Sequence, residues 1–145
     1  MRDNDPLKDE HHFTKLVKKT KIHEDGTIDS CELVPRKDEE FMSVDWLEHY
    51  GHDDVDKNIE ELKQYYNYNF TIRTQKLPLL NVQKVKSHVE ENTREKRKLK
   101  ILYKPENFNP SHSGVYNYKH DDELIGDLIA QKVEKLYEAK INNGL

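Results

Sequence analysis

Apolar residues recur along this chain in short clusters, and their spacing changes from one stretch to the next. The clearest alternation runs through residues 98–104, where Leu99, Ile101 and Tyr103 interleave with Lys98, Lys100, Leu102 and Lys104. A period of two puts the two sets on opposite faces, so this stretch predicts a strand with one wet face, ended by Pro105. Phe70-Thr-Ile-Arg-Thr alternates more briefly and predicts another strand. Residues 77–85 suggest a third, which Pro78 confines to a strand start or an edge. Ile22 and Ile28 flank the turn signal Glu24-Asp25-Gly26-Thr27 and predict a short hairpin.

Elsewhere the spacing is helical. Val55, Ile59, Leu62 and Tyr66 share one face and predict a helix over 55–66, capped by Asp53 or Asp54. Phe41, Val44, Trp46, Leu47 and Tyr50 predict a shorter helix, with Ser43 as its cap and Gly51 as its stop. The longest stripe holds Leu124, Ile125, Leu128, Ile129, Val133, Leu136, Tyr137 and Ile141. It predicts a helix from Asp121 or Asp122 to about Ile141, ended by Asn142-Asn143-Gly144. Residues 85–94 fit neither period cleanly. Helices and alternating strands without a βαβ rhythm predict an α+β fold. The expected architecture is one domain over 11–145, a small, mainly antiparallel sheet packed on a long C-terminal helix and a central helix. Residues 1–10 are acidic and aperiodic, and are expected as a flexible arm.

At 145 residues the chain fits one domain. A domain of this size buries roughly 68–70% of its unfolded surface and folds without disulfides or metal. Charged residues make up 36% and apolar ones only 34%, so a modest core under a charged skin is expected. The net charge of −4 is too small to keep the chain unfolded. Cys31 is the lone cysteine, which excludes an internal disulfide and suits a reducing compartment. No apolar run approaches ~18 residues, and the acidic start lacks a signal peptide's apolar segment. These features predict a cytoplasmic protein with no membrane partner.

The most informative polar stretch is 109–116, Asn-Pro-Ser-His-Ser-Gly-Val-Tyr. A histidine can act as acid, base or ligand, and His112 has hydroxyls beside it at Ser111 and Ser113. These three are the candidate catalytic residues. Gly114 allows a close backbone approach, and Tyr116 ends the stretch. The basic run Arg94, Lys96, Arg97, Lys98, Lys100 and Lys104 precedes it. Arg97, Lys100 and Lys104, with Gly114 and Tyr116, are the candidate binding residues. The plain alternative is an ordered turn followed by a solvated strand face. Glu90, Glu91 and Glu95 oppose nucleic-acid contact, and only Tyr103 could stack, so a nucleic acid is the second choice of partner. His11 and His12 diverge on any regular element, and His49 and His52 are separated by Gly51. No metal site and no cofactor are expected, because no known ligand spacing or phosphate-cradling glycine motif occurs. Tyr65, Tyr66 and Tyr68 either line a recognition surface or divide between core and rim.

Three patches resemble a family of small uncharacterised bacterial proteins. They are Ile22-His-Glu-Asp-Gly-Thr-Ile28, Lys37-Asp-Glu-Glu-Phe-Met-Ser-Val-Asp-Trp-Leu-Glu48 and Asn109-Pro-Ser-His-Ser-Gly-Val115. The resemblance implies a genetic context among mobile-element or phage-defence genes, and transfers no catalytic residue. Together these features predict an accessory or interaction protein that binds a protein partner in a bacterial defence setting. The alternative is a small enzyme or binder acting on a nucleotide or nucleic-acid phosphate through His112. With no catalytic motif, enzymatic activity stays an open question at this level.

Overall fold

In the computed structural model, which describes residues 1–142, six short segments pair into one antiparallel sheet. Its strands are β1 (His12–Thr14), β2 (Phe41–Trp46), β3 (Lys76–Asn81), β4 (Lys100–Tyr103), β5 (His112–Tyr116) and β6 (Lys135–Glu138). They lie in the order β4-β5-β2-β1-β3-β6. Three helices complete the α+β fold: α1 (Val55–Asn69), α2 (Val82–Glu91) and α3 (Glu123–Ala130).

The pleat sorts side chains between two faces. One face gathers Phe13, Val44, Trp46, Leu80, Ile101 and Val115, and α2 and α3 close it with Val82, Val85, Val89, Ile125, Leu128 and Ile129. On the other face Leu77 and Leu79 pack under Ile59, Leu62 and Tyr66 of α1. That helix covers only the β1-β3-β6 half. Over β2, β5 and β4 the same face has no helix, and Ser43 and Lys100 are exposed while Phe41, Leu102, Lys104 and Tyr116 are half-buried. Register brings these together: Phe41 and Lys100 flank Tyr116, and Ser43 and Leu102 flank Gly114.

β4 has the predicted register, with Leu99, Ile101 and Tyr103 buried and Lys98 and Lys100 exposed. α1 starts where expected, with Asp54 accepting a hydrogen bond from the Asp56 amide. Gly51 ends a 3-10 turn over Leu47–Tyr50 at φ 79°, a left-handed conformation that favours glycine. The turn at 24–27 brings Ile22 and Ile28 together, though as a single bridge between them rather than two strands.

Several expectations are corrected. The long C-terminal helix stops at Ala130, and the chain returns as strand β6. Leu136 and Tyr137 fit both periods. As a strand they reach the two faces in turn, and β6 gives the Leu77 and Leu79 backbone its pairing partners. Leu124, counted in the stripe, is exposed. Of the expected stop, Asn143 and Gly144 lie outside the described residues. The helix expected around 43–50 is strand β2 as far as Trp46, because Met42, Val44 and Trp46 alternate inward, and only Leu47–Tyr50 turns, as the 3-10 element; Ser43 caps nothing. Residues 70–74 form no strand: the Phe70 amide closes α1 on the Tyr66 carbonyl. Pro78 lies inside β3, between β1 and β6, not at an edge. The β1 register, from His12 opposite Asn81 to the bridge between Val17 and Lys76, sets Lys15 opposite Pro78. The ladder breaks there, where proline has no N–H to give. Finally, the acidic start is not detached. Asn4 and Leu7 donate to the Tyr103 and Ile101 carbonyls, and Leu7 is buried, so this arm covers the edge of β4.

Candidate functional site

The 109–116 stretch is a bend that enters β5, a central strand between β4 and β2. Alternation therefore separates the three candidates taken together from sequence. Ser113 faces the interior and donates to the Ser111 carbonyl at 3.2 Å. His112 points to the open face. Its Nδ1 lies 2.8 Å from the Lys104 carbonyl, and since a carbonyl only accepts, Nδ1 carries the proton. In the neutral ring, Nε2 is then an acceptor for the Ser43 hydroxyl 3.2 Å away. Glu106 stands 4.0 Å from the same nitrogen.

Beside His112, at the boundary between the covered and open halves, lies Asp45, only 4% exposed. One of its oxygens accepts from the Asn109 amide and the Ser111 hydroxyl, each at 2.9 Å, and the other accepts from the Tyr66 hydroxyl. No cation pairs with it among the described residues. A buried carboxylate is tolerated when neutral donors saturate it, and these three do so. Ser111 thus serves the carboxylate and not His112. Burial pushes the Tyr66 hydroxyl well up and Tyr50 up to about 12, so neither adds a second negative charge beside Asp45 at neutral pH.

Further along the open face the rings of Phe41 and Tyr116 sit 4.8 Å apart, with His112 edge-on to Phe41 at 5.9 Å. Both rings close over Gly114: a Cβ there would stand 2.5 Å from Phe41 and 2.9 Å from Tyr116. Gly114 therefore provides room for the rings rather than an unusual backbone angle. The floor continues into an open groove of about 1120 Å³, bounded by Glu40, Arg97, Lys100, Leu102, Tyr116 and Asp121 among others.

Of the basic candidates, Arg97 is held by Asp122 at 3.5 Å, Glu95 at 3.3 Å and the Asn117 carbonyl at 2.9 Å. Lys104 is held by Asn4 at 2.7 Å and Asp3 at 3.4 Å. Lys100 has no such partner among the described residues. Arg97, Lys100 and Tyr116 line one groove, whereas Lys104 stands at the other end of the row, beside His112.

The sequence reading missed Phe41, Ser43, Asp45 and Leu102. The signal was the alternation of Met42, Val44 and Trp46, which sends Phe41, Ser43 and Asp45 to the opposite face. Among the tyrosines, Tyr66 is buried, Tyr65 packs against Phe70, and Tyr68 is 90% exposed on α1. His11 and His12 do diverge, one to Trp46 at 3.1 Å and the other to Glu48 at 2.7 Å. No helix among the described residues is long and apolar enough to cross a membrane. Comparison with protein-family models, curated proteins and solved structures found no match to this chain.

Proposed function

We propose that this protein is an interaction module that binds a protein partner on the open half of its sheet. One observation carries the reading: α1 closes one half of that face, while the β2-β5-β4 half presents Phe41, Leu102 and Tyr116 to solvent. Sheet faces bearing aromatic and aliphatic side chains inside a charged rim have the composition of recognition surfaces. The rival, phosphate handling through His112, has less support. Two of its three cations, Arg97 and Lys104, are already committed to neighbouring carboxylates. The lone thiol of Cys31 supports a cytoplasmic setting, and a role in phage defence rests on the three-patch resemblance alone.

Capture from a host lysate tests the reading. Ser43 is exposed at the centre of the face, so Ser43→Arg should abolish recovery of the partner, while losing the hydroxyl that meets His112 costs only about 1 kcal/mol and leaves the chain folded. Equal recovery of the same partner by both proteins would reject the face as the binding site.

A further inference from the structure

The open face also restricts what kind of segment can lie on it. Protein segments are recognised by a few recurring modes. Adding a strand at the adjacent edge is blocked, because residues 4–7 already hydrogen-bond along β4. A docked amphipathic helix needs a continuous apolar groove, and here Ser43, Lys100 and Lys104 interrupt Phe41, Leu102 and Tyr116. Capture of a phosphorylated or acidic segment needs a free arginine cluster, and Arg97 is spent on Asp122 and Glu95.

What remains is a floor of aromatic rings with unused donors. Gly114 lets Phe41 and Tyr116 lie down over the strand. The Tyr116 hydroxyl donates no hydrogen bond among the described residues, and the Lys100 ammonium, on the residue paired with Tyr116, has no partner there either. Around the groove Asp38, Glu39, Glu40 and Asp121 are nearly offset by Lys37, Lys100 and Lys119, so the rim selects neither charge. A polyproline II segment matches each of these features. Its rings pack on aromatic faces, its proline nitrogens donate nothing, and its carbonyls all face outward as acceptors.

We propose that the open face takes an extended, proline-rich segment of the partner, its rings on Phe41 and Tyr116 and its carbonyls bonded by Tyr116 and Lys100. This rests on the reading that the partner binds this face. The segment is already extended when free, so binding orders little chain, and the shallow floor suits a modest, reversible affinity.

The test is titration of the full chain with a proline oligomer of about ten residues, which spans roughly 30 Å. Amide NMR shifts report the site. A Gly-Ser peptide, an arginine peptide and oligothymidylate of equal length serve as alternatives. The proline oligomer should bind in preference to all three and shift the Phe41, Ser43, Gly114 and Tyr116 amides. Tyr116→Phe keeps the ring and removes the donor, and should weaken binding about fivefold, as for one neutral hydrogen bond. Phe41→Ala should weaken it about tenfold or more, as for a central aromatic anchor. No binding of the proline oligomer at millimolar concentration overturns the proposal, as does preference for arginine or thymidylate, or a Tyr116→Phe affinity equal to wild type. If the proline oligomer fails while Ser43→Arg still abolishes partner capture, this inference falls and the binding face stands. If capture ignores Ser43→Arg, the binding face falls as well.

Discussion

At the scale of single residues, buried polar chemistry governs this protein. Asp45 is the acceptor for Tyr66 of α1 and for Asn109 and Ser111 of the bend before β5. Asp45→Ala would leave the buried Tyr66 hydroxyl and the half-buried Asn109 amide unpaired, while Ser111 keeps the Asn109 side-chain oxygen as acceptor, so at ~1 kcal/mol or more each a loss of about 2 kcal/mol or more is expected in urea unfolding. Gly114→Ala should cost about 1–3 kcal/mol through overpacking, because the methyl would drive Phe41 and Tyr116 off the sheet. The paired histidines give a pH signature. The hydrogen bond that His12 donates to the Glu48 carboxylate raises its pKa above the ordinary 6.5. Stability from that pair is therefore complete below about pH 6.5 and is lost as the pH rises through the raised value. Burial lowers the pKa of His11, whose effect runs the other way: present above its ordinary value, lost as the pH falls through the lowered one. Glu48 favours both protonated rings, so Glu48→Gln should cost more stability at about pH 5.5 than at about pH 8.5. An equal cost at both would show that the ion pair does not form.

At the scale of elements, local pattern was legible wherever it agreed with tertiary pairing. The α1 stripe and the β4 alternation had no competing reading and were found in place. The failures came where one sequence fits two periods. Val133, Leu136 and Tyr137 satisfy a helix at i, i+3 and i+4, yet the unpaired side of β3 decides for a strand. Val44, Leu47 and Tyr50 deceive in a similar way at i, i+3 and i+6, and compete with the shorter alternation of Met42, Val44 and Trp46 that β2 follows. His112 was legible as special through its small polar neighbours. Its neighbours Ser43 and Asp45 were not, because cross-strand placement 69 and 67 residues away leaves no local trace. The shortened α3 still buries Leu128 and leaves Leu124 exposed. Leu128→Ala should cost about 2–5 kcal/mol, while Leu124→Ala stays within about 0.5 kcal/mol. Similar melting temperatures for the two variants would mean that α3 does not pack as described.

At the scale of the whole molecule, the asymmetry of the sheet is the main result. One face is closed along its length by α2 and α3, whereas the other is half closed by α1. The N-terminal arm covers the β4 edge, so the open half offers a surface and not a strand for pairing. We propose that a partner occupies this surface, and hydroxyl-radical footprinting of the protein, alone and in its captured complex, checks it. Phe41 and Tyr116 should be oxidised in the free protein and protected in the complex, while Tyr68, exposed on α1, reacts equally in both. Protection of Tyr68 with unchanged oxidation of Phe41 and Tyr116 would place the partner on α1 and contradict the account.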